Sequence, residues 1–109
     1  MGKRENAIQL QVLKFLKSKG FFCWRNANVT PSVNGKYLYN PSNQPGQGDI
    51  IGVIPGSGKH LEVEIKTPVG VQSPVQAIHE KRLTDEGAVY VLVKSLDEIK
   101  QWYNEYVND

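Results

Sequence analysis

The sequence predicts an α/β protein: a mixed β-sheet flanked by helices, in the order helix, strand, loop, two strands, helix, strand, helix. Three observations lead there. Apolar residues recur at helical spacing near both ends of the chain. Two strand-like runs, Asp49–Ile54 and Lys59–Thr67, flank the turn Pro55-Gly56-Ser57-Gly58. A continuous apolar run, Ala88–Val93, has the character of a central buried strand.

The first helix is expected from Arg4 to about Ser18, with Ile8, Val12, Phe15 and Leu16 on one side and Gly20 as its stop. Phe21–Arg25 follows as a short aromatic strand, with Trp24 assigned to the core. Residues 26–48 then change character, being rich in Asn, Pro, Gly, Ser and Gln. Tyr37-Leu38-Tyr39 within them suits a short edge strand. A connection this long is uncommon in a compact domain and usually serves a function. After the hairpin, Pro68 ends the second strand. Ser73 and Pro74 start a helix as N-cap and first helical residue, and Gly87 stops it. Ser95-Leu96-Asp97-Glu98 reads as a capping box. It opens a last helix with Leu96, Ile99, Trp102, Tyr103, Tyr106 and Val107 on one side.

Length and composition bound the class. The 109 residues suit one domain, 1–109, that buries roughly 60–70% of its unfolded surface. With 39% hydrophobic and 22% charged residues the chain reads as a soluble globular protein. No apolar run approaches the ~18 residues of a membrane span, so no membrane partner is expected. The charged N-terminus is not a signal peptide, which points to the cytoplasm of a bacterium or of a phage-infected host. A net charge of +2 does not establish a nucleic-acid partner. Lys3, Arg4, Lys14, Lys17, Lys19 and Arg25 nevertheless crowd the first quarter, and the C-terminal segment is acidic, which permits a basic face. Cys23 stands alone, so no internal disulfide forms, and a buried, reduced thiol is expected.

The hairpin carries the chemistry. A four-residue loop at 55–58 pairs Ile54 with Lys59. Counting outward, Gly52 faces Leu61, Ile51 faces Glu62 and Asp49 faces Glu64. Opposed residues share a sheet face with Cβ atoms roughly 5 Å apart. Ile50, Ile54, Leu61, Val63 and Ile65 line the other face, and Lys66 lies on the side of Glu64. Two carboxylates so close repel unless something joins them, and a divalent cation does so. Mg²⁺ takes one or two carboxylates plus waters and substrate phosphate. It polarises a phosphodiester and lowers the pKa of bound water, and an adjacent amine balances the developing charge. A blander reading stands beside this one: His60, Glu62, Glu64 and Lys66 as the wet face of an ordinary hairpin, with Asp49 as a turn residue.

Gly48-Asp49 followed by Glu64-Ile65-Lys66 resembles the PD-(D/E)XK nuclease signature. The wider set resembles the virus-type replication-repair nuclease (VRR-NUC) domain in its stand-alone form. That set comprises Gly46-Gln47-Gly48-Asp49-Ile50-Ile51-Gly52, Leu61 to Pro68, Gly70, Ser73-Pro74-Val75-Gln76, Gly87-Ala88 and a first-helix acid. The resemblance covers most of the chain except 26–45. It implies a restriction-endonuclease-like core, Mg²⁺ or Mn²⁺ as cofactor, and branched DNA as substrate. By position it implies metal ligation by Asp49, Glu64 and the Ile65 carbonyl, Lys66 as catalytic lysine, Glu5 as the first-helix acid and Gln76 as the helix glutamine.

Glu5 and Gln76 each admit a second reading. Glu5 sits at the edge of the core-facing stripe, where a carboxylate is costly unless it meets a cation or donors; it is also a first-turn acid that suits the helix dipole. Gln76 is the third helical residue after Ser73 and completes a capping box. The remaining constellations are weaker. His79 with Lys81 and Arg82 fits a solvated helix face. Arg25 suits a phosphate contact. Tyr37 and Tyr39 suit stacking on bases. No zinc cluster, P-loop or nucleophile triad is present.

The expected function is therefore a metal-dependent, structure-selective DNA endonuclease that cuts branched DNA such as four-way junctions. The expected assembly is a homodimer, matching the two-fold symmetry of such a substrate. Its interface is assigned either to the 26–48 segment or to Trp102, Tyr103 and Tyr106. The alternatives are a non-catalytic DNA-binding module on the same fold and a small restriction-type endonuclease.

Overall fold

The structure, a computed structural model, describes residues 3–26, 32–33, 36–37 and 44–108. Helix α1 (Lys3–Ser18) leads to strand β1 (Phe22–Arg25). Two short strands, β2 (Ser32–Val33) and β3 (Lys36–Tyr37), precede the hairpin of β4 (Ile50–Val53) and β5 (His60–Ile65). Helix α2 (Pro74–Asp85), strand β6 (Val89–Val93) and helix α3 (Leu96–Val107) complete the chain. The main sheet has the order β1-β4-β5-β6. β1 and β5 run antiparallel to β4, and β6 runs parallel to β5. The expected mixed α/β architecture and element order are thus observed. β2 and β3 form a separate two-stranded ladder. Tyr37 lies in that ladder; Leu38 and Tyr39 lie outside the described residues. No described helix is long and apolar enough to cross a membrane.

The two faces of the sheet are built differently. On one face, Ile50, Leu61, Val63, Ile65, Val91 and Val93 pack with Val12 and Leu16 of α1 and Ile99 of α3. Cys23 joins this core, and burial pushes its thiol pKa up despite the nearby charge of Lys17, as expected of an inert structural cysteine. The aromatic side chains of α3, Trp102, Tyr103 and Tyr106, pack against the same core beside Phe15 and Phe21. Val107, expected on that apolar side, is exposed. At the start of α3, Ser95 accepts from the Glu98 amide, but the Glu98 carboxylate turns to the Lys94 amide, so only half of the expected capping box forms.

α2 covers part of the opposite face, where Glu62 and Glu64 of β5 and Tyr90 and Leu92 of β6 point. Two sequence expectations fail for this reason. β6 is not central: among the described residues it pairs only with β5 and forms the sheet edge. Its apolar run reflects helices on both faces, not strands on both sides. Trp24 is not core either. It is 44% exposed, stacked at a tilt on the exposed Phe22, on a stretch of β1 that α2 does not reach.

Candidate active site

The hairpin register is the one that loop length dictates. Ile54 and Lys59 close it, with the Ile54 amide donating to the Lys59 carbonyl at 2.9 Å. Ile50 pairs with Val63, Ile51 with Glu62 and Gly52 with Leu61. Just beyond the strand, the Asp49 amide donates to the Val63 carbonyl at 2.8 Å, which extends the register and brings Asp49 to Glu64. Every side chain expected on the apolar face, Ile50, Ile54, Leu61, Val63 and Ile65, is buried there.

Each acidic side chain is held by named donors. The Asp49 carboxylate accepts the Ile65 backbone N–H at 2.8 Å, which turns it toward β5. Glu64 Oε1 accepts from Gln76 Nε2 at 2.9 Å, and Lys66 Nζ lies 3.5 Å from the same oxygen. Gln76 resolves its two readings by filling both. Its Oε1 accepts the Ser73 N–H at 2.9 Å, which completes the capping box, so its amide N–H groups must point the other way, at Glu64. A helix cap thereby orients a site donor. Glu5, half-buried in the first turn of α1, is near enough for its charge to act on Asp49. The structure therefore gathers Asp49, Glu64, Lys66 and Gln76, and sets Glu5 at the margin.

The electrostatics are those of a site short of positive charge. Burial, and then the charge of Asp49, push the Glu64 carboxyl up to about 7, although Lys66 and Gln76 pull it down. Burial likewise raises Asp49; the Ile65 N–H opposes this and the charge of Glu5 adds to it. Among the described residues, Glu64 Oε2 is buried without a hydrogen-bond partner. A buried orphan carboxylate oxygen beside a second carboxylate suits a hard divalent cation. Among the described residues no three His, Cys, Asp or Glu side chains cluster to hold a metal. An ion here would complete its shell from backbone carbonyl, water and phosphate oxygens, as Mg²⁺ commonly does. Burial and the surrounding carboxylates push the Tyr90 hydroxyl up to about 12, so it forms a neutral wall beside the acids.

The wet-face reading of the hairpin fails for its two glutamates, though His60 is exposed and Lys66 half-buried. Glu62 is 1% exposed and Glu64 4%. His79 is not on a solvated face: it is 8% exposed and its Nε2 lies 2.9 Å from Glu62 Oε1. Lys81 and Arg82 do stay exposed. Arg25 reaches Asn6 Oδ1 at 3.1 Å and ties β1 to the start of α1. Sequence reasoning missed Asn26, whose backbone N–H donates to the Asp49 carbonyl at 2.8 Å and whose side chain donates to the Gly48 carbonyl at 3.2 Å. Its signal was faint, an Asn directly after a short strand.

No protein-family model matches the chain, and no curated protein sequence does. Solved structures do. A structure described as a VRR_NUC domain superposes with a TM-score of 0.71 at 19% identity, covering 96% of this chain and 99% of that one. A second, described as a VRR_NUC domain protein, gives a TM-score of 0.63 at 20% identity, covering 99% of this chain and 91% of that one. The chain therefore has the fold of the VRR_NUC domain across nearly its whole length.

Proposed function

We propose that the protein is a divalent-metal-dependent DNA endonuclease that hydrolyses phosphodiester bonds in branched DNA, such as four-way junctions. The observation that carries the reading is the pairing of the half-buried Asp49 with the buried Glu64, one of whose oxygens has no hydrogen-bond partner among the described residues, with Lys66 alongside. Asp49, Glu64 and the Ile65 carbonyl would hold Mg²⁺ or Mn²⁺, with Glu5 at the edge of that set. The bound metal supplies Lewis acidity toward the phosphate and a bound water of lowered pKa. The chain's own groups do the rest. The Ile65 amide fixes Asp49 and the Gln76 amide fixes Glu64, so both carboxylates are preorganised. The Lys66 ammonium, partly open to solvent, orients the attacking water and offsets negative charge as it builds on the phosphate.

Branched DNA and a homodimer belong to the same proposal. One small domain carries one carboxylate pair, whereas a four-way junction has two symmetric strands to cut, and a two-fold dimer matches that symmetry. The candidate interfaces stay the 26–48 segment, most of it outside the described residues, and Trp102, Tyr103 and Tyr106; the packing of these aromatics against the core weighs against the second. A panel of labelled single strands, duplexes, flaps and four-way junctions, each with Mg²⁺ and Mn²⁺, tests the reading, with light scattering alongside. Metal-dependent cleavage preferring junctions, from a dimer, is expected. Equal cutting of linear duplex by a monomer overturns the branched-DNA and dimer parts; no metal-dependent cleavage of any DNA overturns the nuclease itself.

A further inference from the structure

We propose that Glu62 is a positioning residue for Asp49: its buried carboxylate, braced by His79, grips the Gly48 amide and so sets where the Asp49 side chain stands. The inference rests on the nuclease reading for its consequence and on geometry for its substance. Glu62 Oε1 accepts the Gly48 N–H at 2.9 Å and lies 2.9 Å from His79 Nε2. Its Oε2 lies 2.7 Å from His60 Nε2. A carboxylate that is 1% exposed is costly to bury unless it is well bonded, and all three of these contacts fall on Glu62.

The segment it grips is also held by Asn26, whose side chain donates to Gln47 Oε1 and to the Gly48 carbonyl, each at 3.2 Å, and by shape. A Cβ on Gly46 would meet the Val75 carbonyl oxygen at 2.7 Å and His79 Cβ at 2.9 Å. One on Gly48 would meet the Val63 carbonyl oxygen at 2.9 Å. Residues 46–48 therefore thread between α2 and β5 in backbone contact with both, and only glycine leaves the room. Glu62 bonds this strap to β5 through the Gly48 N–H, one residue before Asp49, while Asn26, just after β1, bonds it through the Gly48 carbonyl. The same helix turn that presents Gln76 to Glu64 presents His79 to Glu62. α2 is thus stitched to β5 by two polar pairs, one for each carboxylate of the site. Supports of this kind behind metal ligands typically carry 10- to 100-fold in metal affinity or activity.

The test compares Glu62→Leu, which fills the space without an acceptor, with Glu62→Gln, which keeps the acceptor. Calorimetry reads Mn²⁺ affinity, junction cleavage gives kcat and KM, and NMR follows exchange of the Ile65 amide, the donor to Asp49. Glu62→Leu is expected to bind Mn²⁺ about 10- to 100-fold more weakly and to lose kcat in proportion. KM for DNA should hold, and the Ile65 amide should exchange faster. Glu62→Gln should restore all of these. Wild-type Mn²⁺ affinity and Ile65 exchange in folded Glu62→Leu overturn the proposal, and so does a Glu62→Gln protein as defective as Glu62→Leu. If Glu62→Leu does not fold, the wild type still decides: the Gly48 amide must be protected together with that of Ile65, and rapid Gly48 exchange overturns the grip. The exchange measurement needs no cleavage, so an inactive wild type in which Glu62→Leu still frees the Ile65 amide refutes the nuclease reading and leaves this one standing.

Discussion

Replacing Glu64 with Gln should stabilise the metal-free protein at alkaline pH. The carboxyl is displaced from 4.5 to about 7 by burial and by the charge of Asp49. In the unfolded chain it titrates near its ordinary value, so between those two pH values the folded protein holds a proton that the unfolded chain has lost. Stability must then fall as pH rises through that window and level off above about 7. At about 1.4 kcal/mol per pH unit, the displacement caps the cost at about 3 kcal/mol. Gln at the same place keeps an acceptor for Gln76 and lacks the titration. Glu64→Gln should therefore match wild type near pH 4.5 and exceed it at pH 8 in EDTA by about 1–3 kcal/mol. At roughly 4 °C or more per kcal/mol for a domain of this size, the gap is readily measured in Tm. Denaturation of both proteins at the two pH values is the assay. A wild type whose stability is flat or rises between pH 4.5 and 7, or a Glu64→Gln protein weaker at pH 8, refutes the reasoning.

Three further outcomes follow from the same geometry. Gly46 and Gly56 have nearly equal positive φ, 85° and 84°, but a Cβ meets backbone only at Gly46; Gly46→Ala should cost about 1–3 kcal/mol more than Gly56→Ala by urea denaturation. Gln76→Ala should lose about 0.5–2 kcal/mol with its half of the capping box, and should weaken Mn²⁺ binding as Glu64 loses its amide donor. Mn²⁺ binding should release protons at pH 6 and few at pH 8, read by calorimetry in buffers of different ionisation enthalpy, because the metal displaces the proton that burial keeps on the carboxylate pair.

The sheet was readable where local rules act alone. A four-residue loop left one register for β4 and β5, and that register placed Asp49, Glu64 and Lys66 on one side and five aliphatic residues on the other. The capping box of α2 was readable for the same reason. What was not readable depends on how α2 docks. Its pattern points the wrong way: Val75 and Ile78 are 48% and 63% exposed, while Gln76 and His79 face inward. A reader of hydrophobic periodicity therefore puts His79 in solvent and misses its partner Glu62. β6 misled in a related manner, since helices on both faces make an edge strand as apolar as a central one. Trp24 was assigned inward, yet β1 extends past the reach of α2. Of the expected Tyr37–Tyr39 strand, only Tyr37 falls among the described residues.

The central claim is that the Asp49–Glu64 pair forms a metal-dependent catalytic centre served by Lys66. The most direct test is the single-turnover cleavage rate of a labelled four-way junction by wild type and Lys66→Ala, each with Mn²⁺ and with EDTA. Wild type should cut only with the metal. Lys66→Ala, whose side chain lies outside the apolar core, should keep the wild-type fold and lose cleavage by a factor on the order of 10² or more. Cleavage in EDTA at the rate seen with Mn²⁺, or a Lys66→Ala protein as fast as wild type, contradicts the account.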